Sequence, residues 1–162
     1  TTRKVRGAEV DGRDYHFLLP EAFEKREANG DFLEHAEVHG NRYGTLRETV
    51  EEALRKKTSV LLVIDVQGAR QVRDHVARMP PDSPMRRGLV DVFVKPPSSD
   101  VLRKRLQARG EDSADAIRRR IRNAEEEMKS ADDFKYAIVN DDLAAAVSEL
   151  EGILDHESQE TA

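Results

Sequence analysis

Glu34, Tyr43 and Thr45 place a carboxylate, a phenol and a small hydroxyl around the turn Gly40-Asn41. Residues 32–38 alternate as a strand, Gly40-Asn41 turns the chain, and Arg42-Tyr43 begins a return strand. On such a strand Phe32, Glu34, Ala36 and Val38 share one face, so Glu34 sits among apolar neighbours. Burying an unpaired carboxylate is costly, so Glu34 is either an acceptor for a ligand or a rim glutamate of an ordinary hairpin. Guanine suits an acceptor there. Its N1–H and N2–H2 are adjacent donors that one carboxylate can take together, and the Thr45 hydroxyl can donate to O6. Adenine has no donor at N1 and no 2-amino group.

Asp65 ends the aliphatic run Val60-Leu61-Leu62-Val63-Ile64, at the carboxyl end of a strand, where open α/β sheets bind ligands. An acid there can hold Mg²⁺, directly or through water, or can cap the helix that follows. Arg105 and Arg109 lie four apart and share a helix face, while Arg118, Arg119 and Arg120 crowd the start of the next helix. Guanidiniums stabilise a phosphoryl group in flight; an arginine run can equally be a solvated surface. Arg3 and Arg6 also point to an anion. Gly7 to Gly12 has the spacing of a phosphate loop, but Arg13-Asp14 follows where Lys-Ser/Thr is required, and Glu9 and Asp11 would repel a phosphate. His35 and His39 are four apart in a segment that reads as strand, without a His-Glu-x-x-His frame, so no histidine metal site is expected. The spacing yields no Ser/His/Asp nucleophile arrangement.

The elements that must position these groups follow in order. The pattern predicts a short strand at 14–19 and a helix at 20–29, with Pro20 in its first turn and Gly30 past its end. Thr45 is expected to cap a helix ending near Lys57. Residues 59–66 form the strongest strand, continuous enough to be covered on both faces, and residues 69–78 a helix. Residues 79–88 read as a loop and residues 89–95 as a second core strand. Helices follow from Ser98 or Ser99 to about Ala108, and from Asp112 or Ser113 along the stripe Ile117, Ile121, Ala124, Met128, Ala131. A strand at 136–139 and a helix at 143–154 precede a polar tail. Strands alternating with helices give an α/β class with a mostly parallel sheet.

Composition narrows the partners. The 162 residues suit one domain. Net charge is −5, which argues against a nucleic-acid polymer or a membrane surface as partner. Residues 98–122 run the other way, with eight Lys/Arg against four Asp/Glu. There is no cysteine, hence no disulfide framework and no thiolate zinc site. No apolar run is long enough to span a bilayer, and a cytoplasmic location is expected.

Several phrases together resemble guanylate kinase. They are Thr-Thr-Arg-x-x-Arg from Thr1, Glu-Val-Asp-Gly-Arg-Asp-Tyr-His-Phe from Glu9, and the long run from Gly30 through Thr45. Ile-Asp-Val-Gln-Gly-Ala from Ile64, Pro-Pro-Ser from Pro96, Arg-x-x-x-Arg-Gly from Arg105 and Ile-Val-Asn-Asp-Asp-Leu from Ile138 continue the likeness. The resemblance implies transfer of the γ-phosphoryl group of Mg·ATP to GMP, giving ADP and GDP. It implies that Arg3, Arg6, Tyr15 and Tyr43 hold the GMP phosphate, and that Glu34 and Thr45 read guanine with help from Asp65, which could also meet Mg²⁺ through water. Arg105, Arg109 and Arg120 would be the lid and transfer arginines, Arg105 and Arg109 also facing ATP, with Asn140 against adenine. The implied fold is a P-loop NTPase-like three-layer α/β/α core with a parallel sheet, a small mixed-β GMP-binding region and a helical lid. Its parts would be residues 1–57 for GMP, 58–97 and 123–154 for the core, 98–122 for the lid and 155–162 as a polar tail.

Three departures from the family pattern stand out. No Gly-x-x-x-x-Gly-Lys-Ser/Thr occurs in these residues, and the likeness begins after the family's first strand, Walker A loop and first helix. The loop supplies backbone N–H groups, a lysine and a Mg²⁺-binding hydroxyl, so these residues by themselves are expected to turn over little GMP. The strands flanking the gap would have unpaired edges, which invites pairing between copies. Val63 stands where relatives often carry an acid, and the 79–88 loop is longer than usual. The rival to an enzyme is a non-catalytic guanylate-kinase-like module that binds GMP or a phosphopeptide.

Overall fold

Pro20 sits in the first turn of α1 (Pro20–Ala28), where its missing N–H costs nothing, with Glu21 beside it and Lys25 and Arg26 in the last turn. Gly30, at φ 70°, closes the helix: its N–H bonds the Glu27 carbonyl and that of Asp31 bonds Arg26. The computed structural model describes residues 1–38, 40–109 and 113–160, in two compact units, Thr1–Arg87 and Gly88–Ala162.

In the first unit, β1 (Phe32–Val38) and β2 (Asn41–Leu46) form an antiparallel hairpin. Gly40 turns it at φ 77°; His39 lies outside the described residues. Glu34 is opposite Thr45 and Ala36 opposite Tyr43, but the register shifts between Phe32 and Glu34. The expected alternation is therefore interrupted. Leu33 and Glu34 are both buried, because a bulge turns neighbours away from strict alternation and a helix covers this strand. Thr45 does not cap the next helix. It belongs to β2, its hydroxyl faces Glu34, and Leu46 occupies the cap of α2 (Arg47–Arg55) with no side-chain bond. The helix ends as α1 does: Thr58 N–H bonds the Ala53 carbonyl, Lys57 N–H bonds that of Leu54, and Lys57 takes φ 57°.

Two expected strands of this unit are not formed. Residues 14–19 carry only an isolated bridge between Asp11 and Tyr15. Asp14 accepts the Val10 N–H at 2.7 Å and Asp11 that of Phe17 at 2.8 Å, so side chains satisfy the backbone locally and a turn displaces the strand. The aliphatic run at 60–64 joins no ladder. Leu61 is 74% and Val63 93% exposed; a strand needs a hydrogen-bonded neighbour, and in its own unit β1 and β2 pair only with each other. The helix after it forms, but starts at Val66, three residues before the expected Ala69. In α3 (Val66–Ala77) Asp65 caps the N-terminus, and the stripe Ala69, Val72, Val76 is buried. This helix packs on β1, and Gln71 bonds the His35 backbone. The expected loop at 79–88 contains a short helix, α4 (Pro84–Arg87), started by Ser83 and buried through Met85.

In the second unit β3 (Val92–Lys95) and β4 (Tyr136–Val139) pair in parallel, the α/β arrangement expected, though β3 starts three residues later than Leu89. Ile138 is its most buried side chain, and Phe93 meets Phe134 edge-on. Ser98 starts α5 (Ser99–Arg109), accepting the Val101 N–H. Ser113 caps α6 (Ala114–Met128), which packs on α5 and buries Ile121; Asp112, the alternative cap, and Gly110 lie outside the described residues. The last helix, α7 (Leu143–Glu160), runs through the segment expected to be a tail. Glu157 is the reason: it turns inward and accepts from Lys135 Nζ at 2.7 Å and from the Tyr136 hydroxyl. Those bonds hold its carboxyl below the usual range.

Candidate functional site

The hairpin carries a polar face built from both strands. Residues directly opposite in a pair share a face, so Glu34, Thr45, Ala36 and Tyr43 lie together. Thr45 and Tyr43 are two residues apart, roughly 7 Å along the strand.

At one end is the carboxylate. Glu34 is only 5% exposed. Its Oε1 accepts the Thr45 hydroxyl at 2.5 Å, and its Oε2 lies against α3 so closely that a Cβ on Gly68 would stand 2.7 Å away. Burial pushes the Glu34 carboxyl up, the Thr45 bond opposes that rise, and the Asp65 charge adds to it. Asp65 Oδ1 accepts the Gly68 N–H at 2.8 Å. Of its two expected roles Asp65 is seen in that of helix cap, and it stands close enough to Glu34 for their charges to interact. Gly68 was not singled out as a site residue in the sequence, although it lies inside the phrase that includes Asp65.

At the other end sit the phosphate candidates. Residues 1–2 are pinned to β2: Thr2 N–H donates to the Arg42 carbonyl at 2.9 Å, Arg42 N–H to Thr2 Oγ1 at 2.9 Å, and Thr1 Oγ1 to the Arg42 carbonyl at 2.8 Å. This brings Arg3 beside Tyr43. Arg3 is buried, its guanidinium 5.2 Å from the Tyr15 ring centre and 5.7 Å from that of Phe17, and Tyr15 meets Tyr43 edge-on at 6.2 Å. Arg3, Tyr15 and Tyr43 are thus one cluster.

Glu9, read in the sequence only as a charge that would repel a phosphate, has a partner. It grips Arg3 through two bonds, at 2.8 and 3.0 Å, and accepts the Arg6 backbone N–H at 2.8 Å. Those bonds raise the pKa of Arg3 and lower that of Glu9. The Arg6 side chain is exposed. Glu9 therefore fixes Arg3 and the backbone that carries Arg6. An arginine tied to a glutamate six residues on has no spacing signature, because the loop between them is irregular.

The second unit holds the other candidates. Arg105 donates to the carbonyls of Asn140 at 2.7 Å and Asp141 at 3.0 Å, and Asn140 N–H bonds the Lys95 carbonyl at 2.8 Å. Arg105 and Asn140, both expected near ATP, are brought together, with Arg105 holding the turn after β4. Arg120 lies half-buried on α6; the side chain of Arg109 is outside the described residues. Arg118 pairs with Asp115 on the helix surface, a solvated role.

Among the described residues no group of three His, Asp or Glu is placed to hold a metal ion, and no helix is long and apolar enough to cross a membrane. Asp65 alone can still serve a Mg²⁺ that arrives with a nucleotide, because phosphates and waters complete such a shell around one or two carboxylates.

Known proteins give the same answer over nearly the whole chain. The family model described as Guanylate kinase matches residues 1–157. The guanylate kinase of Symbiobacterium thermophilum is 47% identical over 161 residues, 99% of this chain and 72% of that protein. That of Nitratidesulfovibrio vulgaris is 48% identical over 150 residues, 93% of this chain and 68% of that protein. The crystal structure of guanylate kinase from Anaplasma phagocytophilum superposes with a TM-score of 0.75 at 35% identity, covering 96% of this chain and 71% of that one. A buried carboxylate beside a hydroxyl on a hairpin, an arginine–tyrosine cluster at its other end and matches of this extent lead to one conclusion: the chain belongs to the guanylate kinase family.

Proposed function

We propose that this protein transfers the γ-phosphoryl group of ATP to GMP, giving ADP and GDP. The observation that carries the substrate assignment is Glu34, a buried carboxylate whose Oε1 accepts the Thr45 hydroxyl, a group that can turn away. Guanine N1–H and N2–H2 satisfy the carboxylate on entry, and the Thr45 hydrogen is released to O6. The phosphate then lies toward Tyr43, Tyr15 and Arg3, with Arg6 closing from outside. Arg105 supports the turn that presents Asn140 to adenine, while Arg109 and Arg120 meet the transferring phosphoryl group. Mg²⁺ bound with ATP supplies neutralisation of phosphate charge, and Asp65 would reach it through water. No covalent intermediate or strong base is needed, since positioning and charge neutralisation carry such transfers. Residues 1–57 act as the GMP region, 98–122 as the lid, and 58–97 with 123–154 as the core. The setting is the cytoplasm. The largely exposed run at 60–64, of strand composition but in no ladder, is the stretch through which copies of the chain would pair.

The test is acceptor choice. A site that hydrogen-bonds buried polar groups rejects an analogue lacking the partners by roughly 10⁴ or more. With Mg·ATP, a coupled ADP-release assay on the protein as the cell makes it should show GMP consumed and AMP ignored. Comparable kcat/KM for the two would overturn the assignment.

A pH dependence follows from the raised Glu34 carboxyl. The base is bound by the carboxylate form, so affinity should fall as pH drops through a range above the ordinary carboxylate one. Guanosine is the ligand to titrate, having no phosphate of its own, and Glu34→Gln should flatten the profile. The same shift acts oppositely on folding. With the folded value above the unfolded one, the native state binds more protons between the two, so Glu34 adds stability as pH falls through that window. Guanosine affinity that is flat with pH in the unsubstituted protein would contradict this.

A further inference from the structure

Gln71 lies on α3, three residues past Gly68, and belongs to none of the phrases that carry the family resemblance. Its side-chain amide meets both backbone groups of one residue in β1: Nε2 donates to the His35 carbonyl at 2.7 Å, and the His35 N–H donates to Oε1 at 3.1 Å. One side chain thereby does for this edge of β1 what a neighbouring strand would do, while β2 occupies the other edge. The His35 N–H belongs to the peptide plane that begins at the Glu34 carbonyl, so holding it fixes the orientation of the Glu34–His35 peptide. That peptide follows directly on the register shift between Phe32 and Glu34, where the ladder by itself specifies the backbone least. On the same helix, Gly68 leaves the room into which Glu34 Oε2 fits. Helix α3 therefore sets the Glu34 carboxylate twice, by vacating space at Gly68 and by clamping the backbone through Gln71.

Resting on the reading of Glu34 as the guanine acceptor, we infer that Gln71 is a positioning residue for base selection. It aims the Glu34 carboxylate at the N1–H and N2–H2 edge of the base without touching the ligand. Two in-line acceptors require a narrow range of carboxylate directions, and a free Glu34–His35 peptide widens that range.

Gln71→Met removes both bonds while keeping similar length and bulk. Two hydrogen bonds of ordinary strength are lost, and the fraction of the ensemble with Glu34 correctly aimed should fall about tenfold. GMP should bind about tenfold more weakly and KM for GMP rise in proportion, while kcat and the affinity for ATP stay as they were. The deciding measurement is a double-mutant cycle by calorimetry with GMP. In a Glu34→Gln background, Gln71→Met should cost clearly less, because only one of the two bonds to the base is left to aim. Should the Met variant not fold, Gln71→Glu carries the same cycle; it keeps the acceptor for the His35 N–H and should lose only about threefold. Unchanged GMP affinity in the folded single variant would overturn the inference. So would the same loss in both backgrounds, which marks a merely structural role. If Glu34→Gln itself leaves GMP affinity intact, the reading of Glu34 falls first and the inference with it. If Glu34→Gln weakens GMP and Gln71→Met does not, only the inference falls.

Discussion

Glu34→Gln is expected to weaken GMP binding by roughly 10²–10³ and to narrow a preference for GMP over AMP of roughly 10⁴ to about 10–100-fold. The substitution keeps size and shape, and its amide oxygen can still accept from Thr45. The change is at Oε2 and in the charge. A carboxylate takes two donors from guanine at about 1.5–3 kcal/mol each; an amide takes one and turns its own N–H toward the other. Losing one charge-assisted bond and leaving a base donor unsatisfied amounts to roughly 3–4 kcal/mol, the stated factor. Folding should not suffer, because burial already disfavours the ionised form of Glu34. Binding and stability therefore separate in this variant. Calorimetry with both nucleotides, beside a thermal melt, reads the two independently. A folded Glu34→Gln protein that kept its original preference for GMP over AMP would refute the role assigned to the carboxylate.

What was legible in the sequence was legible for local reasons. The hairpin was legible because Gly40 supplies the positive φ its turn needs, but its register was not: Asn41 already belongs to β2, opposite Val38, which sets Glu34 against Thr45, where a turn centred on Gly40-Asn41 would set it against Arg47. Asp65 before Val66 and Ser113 before Ala114 announce helix starts because a side-chain oxygen needs only the next turn's N–H. The failures are long-range or competitive. Asp11 and Asp14 captured backbone groups that the apolar pattern assigned to a strand. The run at 60–64 has strand composition but no ladder, and composition does not provide the neighbour that a ladder requires. Glu157 extended α7 by reaching Lys135 and Tyr136, over twenty residues earlier. Arg3–Glu9 and Gln71–His35 are pairings of irregular spacing or between elements, which no period encodes. Even α4 had a readable start, Ser83 before Pro84, which the surrounding prolines and glycine obscured.

Phe23→Ala is expected to destabilise the protein by about 3–5 kcal/mol, the usual range for deleting a buried phenylalanine, against a total of about 5–15 kcal/mol. Phe23 is 1% exposed and stacks on Phe32 with ring centres 4.5 Å apart and planes inclined at 27°. It is the buried apolar contact between α1 and the hairpin, beside the exposed pairs of Arg42 with Glu24 and Glu27. The other side of Phe32 lies on Gly44, where a Cβ would stand 2.8 Å from the ring. Phe32 is thus held between a ring and a bare stretch of backbone, two residues before Glu34 in β1. For a chain of this size the melting temperature should fall by roughly 6–20 °C. Gly44→Ala attacks the same sandwich from the opposite side, by overpacking, and should cost about 1–3 kcal/mol. The two together should cost less than their sum, because the space left by Phe23 lets the Phe32 ring retreat from the new methyl. Melts of the two single variants and the double variant decide it. Strict additivity would show that the ring is not shared between the contacts, and a Phe23→Ala loss below about 2 °C would show that α1 does not anchor the hairpin through this stack.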